Sequence, residues 1–305
     1  MNQTLDDIDD ELKLFLPKEF NFVENINYLA RDRNECLYHI DNNTVSKAIQ
    51  IGDETLIIEV SSVNDKYLDI RFLGESKPSP MLREEVACYV REWFDLERDL
   101  QPFYSMAKED PLLGPAVNSF YGLRIIGILD LFEALCWGIL GQQINLSFAY
   151  TLKRRLVEKF GRSVIHGDVT YWVFPSPEDI ASLSPTELES LRMTKKKAEY
   201  IIGVADLMVQ GKLTKDLLLT VGNHQQAEIT LVKIRGIGPW TANYVLMRCL
   251  RYPCAFPIDD VGLHNAIKQR LGKDLKPDKE EILKLAINWK GWESYATFYL
   301  WRFLY

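Results

Sequence analysis

The stretch LVKIRGIGPWTANYVLMRCL, residues 231–250, decides how this chain folds. Leu231, Val232 and Ile234 end an apolar helix. Gly236 and Gly238 then bracket Ile237, Pro239 stands where the first residue of a helix can lack its N–H, and residues 240–250 continue as a second helix. The pattern predicts a helix, a tight glycine hairpin and a helix. Both glycines can take positive φ and neither carries a Cβ, so amides at the start of the second helix can approach an anion closely. A DNA phosphate is the anion that suits a hairpin reading no sequence. A plain αα-hairpin, with Ile237 as a core plug, would show the same pattern.

Downstream, residues 252–258 lead to Asp259-Asp260 and a further apolar-periodic helix with Leu263, Ile267 and Leu271. A helix of ~11 residues is ~16 Å long, and a seven-residue extended loop reaches ~23 Å, enough to return Asp260 to the hairpin end. A carboxylate beside a phosphate-binding hairpin is electrostatically awkward and asks for a purpose, the ordinary one being a helix N-cap. Trp240 and Tyr244 lie four apart and share a helix face.

Legible caps make the region beyond residue 130 helical. Gly161 follows LKRRLVEKF, Ser184-Pro185-Thr186-Glu187 has capping-box spacing, and Gly211 closes a helix over 194–210. Residues 171–174 are the expected non-helical insert. Residues 35–74 differ: the runs CLYHI, VSKAIQI, TLIIEVSSV and YLDIRFL, separated by polar turns, predict an antiparallel meander, flanked by helices near 20–31 and 81–94. The fold class is therefore α+β, with a mixed α/β N-terminal domain over residues 1–105 and an all-helical region over 106–305.

A 305-residue chain with 47% hydrophobic and 26% charged residues is folded, which excludes collagen-like, coiled-coil and disordered readings. The net charge of −7 argues by itself against a nucleic-acid partner, but it averages −11 over residues 1–100 and +4 over residues 101–305. The small positive balance implies few phosphate contacts, so the grip should come from hairpin amides and a helix dipole, with the acidic first third touching DNA least. The acidic start has no signal-peptide pattern and no run is apolar enough to span a membrane, so cytoplasm is the expected location. Five scattered cysteines suit a reducing compartment, and Cys249 with Cys254 completes no four-ligand set for structural zinc or an iron–sulfur cluster.

Four motifs, ILGQQIN at 139–145, IRGIGPWTANY at 234–244, FPIDDVGL at 256–263 and SYATFYLW at 294–301, together resemble the helix-hairpin-helix DNA glycosylases, in particular the alkylpurine branch, DNA-3-methyladenine glycosylase II. The meander resembles the TATA-binding-protein-like N-terminal domain of that branch. The resemblance implies a base-excision enzyme whose catalytic carboxylate is Asp260, with Asp259 as a helix cap or supporting residue. An ionised carboxylate there stabilises an oxocarbenium-like sugar and orients or deprotonates the attacking water.

By the same resemblance Trp240, Tyr244 and Trp301 line the base pocket, where electron-rich rings favour cationic methylated purines. The hairpin Gly236, Ile237, Gly238 and Trp240 holds a DNA phosphate. Gln143, with Gln142 next, fills the gap left by the flipped nucleotide. Arg154, Arg155, Lys195, Lys196 and Lys197 are candidate phosphate contacts. Relatives that also cut the strand carry a lysine where this chain has Trp240, which implies base excision only. No cofactor is implied beyond a monovalent cation on hairpin carbonyls. The implied partner is double-stranded DNA containing alkylated bases, met by a monomer away from membranes. An 8-oxoguanine-type glycosylase and a non-catalytic hairpin binder are the alternatives; the latter gains nothing from two acids beside a phosphate site.

Overall fold

Six antiparallel strands form one sheet in the order β1-β2-β6-β5-β4-β3, from β1 (Thr4–Ile8), β2 (Glu11–Phe15), β3 (His39–Asp41), β4 (Thr44–Ile51), β5 (Glu54–Ser61) and β6 (Tyr67–Phe72). The computed structural model describes residues 4–8, 11–74 and 77–304, so residues 1–3 and 9–10 of the acidic start lie outside the described residues. The last four strands are the expected meander. Two corrections apply. β1 and β2 extend the sheet beyond it, with β2 paired to β6 through Leu12↔Ile70 and Leu14↔Leu68. Of CLYHI only the end is strand, because the Cys36 and Leu37 amides donate at 2.8 and 2.9 Å to the Glu35 carboxylate, a local bond that competes with strand pairing.

Alternation along the strands puts Val45, Ile49, Ile58, Val60, Leu68 and Ile70 into the main core, with Val86, Val90 and Trp93 of the helix Pro80–Trp93. That helix begins with Pro80 at its first position and the Ser79 side chain accepting from the Leu82 amide. On the opposite face, Ala48 and Ile57 pack against Tyr171 of a two-stranded hairpin, β7 (Arg162–His166) and β8 (Val169–Val173). This is the expected non-helical insert, and it lies against the sheet with the Tyr171 hydroxyl donating to Ser46 Oγ at 3.3 Å.

The remaining helices stack around Leu131–Leu140, in which every residue but Glu133 is buried. It crosses Pro239–Arg248 so closely that a Cβ on Gly138 would lie 2.5 Å from Thr241 Cγ2. The Ser184 capping box forms, with the Glu187 carboxylate accepting from the Ser184 amide at 2.8 Å. Gly211 ends Lys195–Val209 with φ +65°. Sheet and helices meet at a buried cation: Lys153, from Leu146–Phe160, donates at 3.0 Å to Glu35 and at 3.0 Å to Glu133. No helix among the described residues is long and apolar enough to cross a membrane.

Candidate active site

The hairpin joins the helices His224–Val232 and Pro239–Arg248. Ile234 lies beyond the first helix, where its carbonyl accepts from the Ile237 amide at 3.0 Å, and Ile237 plugs the core at 4% exposure. Only Gly236 takes positive φ, at +95°, and a Cβ there would strike the Tyr200 ring at 2.3 Å. Gly238 departs from the expectation for both glycines, with φ −91°. Its contribution is openness: a Cβ on it would meet nothing within 4 Å, and as N-cap it brings no side chain to the helix amides. Among the described residues the Trp240 and Thr241 amides then have no hydrogen-bond partner at the positive helix end, an arrangement suited to an anion.

Asp260 returns to this end of the second hairpin helix. Its Oδ1 accepts from Trp240 Nε1 at 2.9 Å; its Oδ2 accepts from Trp301 Nε1 at 2.8 Å and from the Leu263 amide at 2.6 Å. The last bond makes Asp260 itself the N-cap of Val261–Arg270. Asp259 is therefore not the cap; it is exposed and pairs with Lys279 at 3.3 Å. Gly262 keeps the site open, since a Cβ there would lie 2.8 Å from Asp260 Oδ2 and 3.2 Å from Trp301 Nε1.

Trp240, Tyr244 and Trp301 come together around the carboxylate. Trp240 stacks on Tyr244 with centroids 5.6 Å apart, and Tyr244 lies 6.3 Å from Trp301. Trp240 is half-buried, whereas Tyr244 and Trp301 are buried. Burial pushes the Tyr244 phenol up to about 12, against the opposing pull of the nearby Arg248 guanidinium. Tyr244 also lines a cavity of about 500 Å³ between the sheet and the helices, walled by Trp137, Tyr150 and Arg248 from the helical side and by Arg31, Tyr38 and Lys47 from the sheet side.

The two glutamines separate. Gln142 is tied down, its amide donating to the Gly236 carbonyl at 2.9 Å and to Thr241 Oγ1 at 3.3 Å, so it braces the hairpin. Gln143 is exposed, at φ +56°, a left-handed backbone that is unfavourable for a side chain larger than glycine. Of the basic residues, Lys195 and Lys196 are exposed. Lys197 is buried and donates to the Leu140 carbonyl at 2.7 Å, Arg155 donates to the Leu191 carbonyl at 3.1 Å, and Arg154 pairs with Glu158 at 3.5 Å. Lys197 thus serves a helix C-terminus and is withdrawn from the candidate phosphate contacts.

Comparison with known proteins bears on this geometry. Residues 136–293 match the family described as HhH-GPD superfamily base excision DNA repair protein, and residues 17–135 match the 8-oxoguanine DNA glycosylase, N-terminal domain. A Bacillus subtilis protein named DNA-3-methyladenine glycosylase is 54% identical over 303 residues, spanning 99% of this chain and 100% of its relative. The chain belongs to the HhH-GPD superfamily. Escherichia coli DNA-3-methyladenine glycosylase 2 is 34% identical over 59% of the chain and 60% of its own length. The solved structure of a 3-methyladenine DNA-glycosylase from Archaeoglobus fulgidus superposes with a TM-score of 0.83 at 21% identity, covering 95% of this chain and 97% of that one, and so shares the fold.

Within this HhH-GPD fold, sequence reasoning missed the cavity wall behind Tyr244. Arg248 is 3% exposed; its Nε donates to the Ile126 carbonyl at 2.7 Å and its Nη1 to the Tyr28 and Tyr244 hydroxyls, both at 2.9 Å. A signal existed: Arg248 is four residues beyond Tyr244, on the same face of the hairpin helix. Arg31 carried none, because its approach to the cavity depends on how the sheet region packs.

Proposed function

We propose that this HhH-GPD protein is a monofunctional DNA-3-methyladenine glycosylase, which flips an alkylated purine out of double-stranded DNA, hydrolyses its N-glycosidic bond and leaves an abasic site. The observation that carries the reading is the Asp260 carboxylate, 8% exposed and fixed by two indole N–H groups and a helix amide beside an anion-binding hairpin. Leaving-group departure develops positive charge on the sugar, and a preorganised carboxylate stabilises it without having to reorient. The same oxygens can orient or deprotonate the water that attacks C1′. The full-length Bacillus relative bearing that name supports the substrate class.

The open amides at Gly238 hold a phosphate, Gln143 fills the vacated stack, and the aromatic cavity receives the base. The hairpin carbonyls of Ile234 and Gly236 each accept one protein hydrogen bond and keep a second lone pair, compatible with the implied monovalent cation. The match of residues 17–135 to an 8-oxoguanine glycosylase N-terminal domain favours a second reading, an oxidised-purine enzyme that cuts the strand. Against it stands Trp240, whose indole donates to Asp260 where a strand-cutting relative would carry a nucleophilic amine.

One incubation tests both. Duplexes carrying methylated or oxidised purines are mixed with the protein, and freed base and strand nicks are followed before and after alkali. Release of methylated purine with alkali-dependent nicking is the expected result. Nicking without alkali would overturn the monofunctional assignment, and no methylated base in solution would overturn the substrate class.

A further inference from the structure

We propose that the cavity behind Tyr244 is the exit path of the excised base, taking the neutral free purine from the Trp240–Tyr244 stack to a second opening while the abasic duplex is still held. The inference rests on the reading above that a flipped base is cleaved beside Asp260, and it assigns the cavity to the product of that step.

The opening lies away from the carboxylate. Of the residues lining the cavity, the exposed ones are Gly52 in the turn between β4 and β5, Asp130, Arg162 at the start of β7, and Glu178 in the helix Pro177–Ala181. Tyr244, buried and stacked on Trp240, closes the inner end, and the described residues that line the cavity include neither Trp240 nor Asp260. One helix measures the separation. Asp130, Glu133, Trp137 and Gly141 fall three or four apart and share a face of Leu131–Leu140 with its two caps. The first three line the cavity, whereas Gly141 lies against Trp240, whose Cη2 would be 3.9 Å from a Cβ there. Eleven residues of helix put the rim ~16 Å from the hairpin end.

Charge decides what can travel along this path. Away from the rim the wall carries Arg31, Lys47, Lys153 and Arg248 against Glu35 and Glu133, both of which bind Lys153; the acids Asp130 and Glu178 stand with Arg162 at the rim. That inner surplus of positive charge opposes entry of a cationic methylated purine and keeps it on the Trp240–Tyr244 stack. Cleavage removes the obstacle. The electron pair of the glycosidic bond leaves with the base, the water oxygen replaces the base on C1′, and the proton that the water sheds passes to solvent. The methylated base is then uncharged, and Tyr38, Tyr89, Trp137 and Tyr150 offer it aromatic faces along the way. At about 500 Å³ the cavity has the size of a small-molecule site.

The test separates cleavage from emergence. Enzyme in excess is mixed with a duplex whose purines carry radioactive methyl groups. Alkali treatment of quenched samples counts abasic sites, and a filter that retains the enzyme–DNA complex passes any base already free. With the unmodified protein, base reaches the filtrate while the abasic duplex stays behind. Glu178→Cys is then built into a protein whose accessible cysteines are replaced, Cys88→Ser and Cys254→Ser, and is blocked with a bulky methanethiosulfonate label. The interval between cleavage and emergence lengthens about tenfold, and a reductant that strips the label restores it. Arg162→Cys, on a different element of the rim, behaves alike. Because the interval compares two readings of one reaction, slower cleavage cancels. An unchanged interval in either blocked variant overturns the inference, as does base that stays on the filter until the abasic duplex leaves; both results keep the glycosylase reading. Absence of abasic sites with the unmodified protein overturns that reading and the inference with it.

Discussion

Residues 1–100 carry eleven more acids than bases and residues 101–305 four more bases than acids, yet the two regions meet through a buried cation, Lys153, held between Glu35 of the first and Glu133 of the second. The helical region brings Asp260 and the open hairpin amides. The sheet region brings Arg31, Tyr38 and Lys47 to the far wall of the cavity. The difference teaches how an acidic unit can belong to a DNA-directed protein: the carboxylate that contacts the cavity's Lys153 is neutralised internally, and in the function proposed above the work of gripping the backbone falls to groups that add no formal charge.

The strongest challenge to this division is Asp260→Asn. Asparagine caps a helix about as well as aspartate, so the fold and duplex affinity should persist while base release falls about a thousandfold in single-turnover assays. Retained turnover would move the chemistry toward the cavity carboxylates Glu35 and Glu133 and erase the distinction between the regions.

Lys153→Met attacks the junction. Leaving two buried carboxylates without their cation should cost about 3–5 kcal/mol in urea unfolding. Burial by itself pushes Glu35 upward, but Lys153 and the Leu37 amide outweigh it and hold the carboxyl below its usual value of 4.5. In the unmodified protein Glu35 therefore contributes stability above its unfolded pKa, lost as pH falls through the depressed folded one. In the variant burial prevails, the folded pKa lies above the unfolded one, and stability is lost as pH rises. The difference between the two proteins should shrink below about pH 4.5, and a constant gap from pH 3 to 7 would show that Glu35 is not the group responsible.

The smallest effect is expected at the tip of the helical side. Gln143→Gly removes the left-handed strain and should stabilise the fold by up to about 1 kcal/mol, while slowing base release several-fold because nothing fills the vacated stack. A more stable variant with unchanged release would remove Gln143 from the DNA-facing surface.

How far each region could be read follows from how local its signals are. The hairpin was legible because glycine, proline and the apolar steps around them act within a few residues, and the return of an acid to it because a loop of known reach ties the two; the choice of Asp260 over Asp259 came from the family resemblance. β2 was hidden, since Leu12 and Leu14 alternate with charged neighbours among acids and only pairing to β6 makes them core. Lys153 was overlooked inside a basic run, although its four-residue spacing from Ala149 and Val157 places it on the buried face. The cavity wall was illegible as a unit because residues near 31, 137, 150 and 248 converge only when sheet and helices pack.

Asp260 begins a helix and, in the function proposed above, also holds the chemistry, and this restricts what heredity can try at that position. Glutamate, one methylene longer, is not among the favoured N-caps and would carry its oxygens past both indoles. Asparagine preserves the helix and surrenders the charge. Neither neighbouring choice satisfies both demands, so exchange of one acid for the other cannot proceed by small steps here, and the identity of the acid is set by how Val261–Arg270 starts as much as by the reaction.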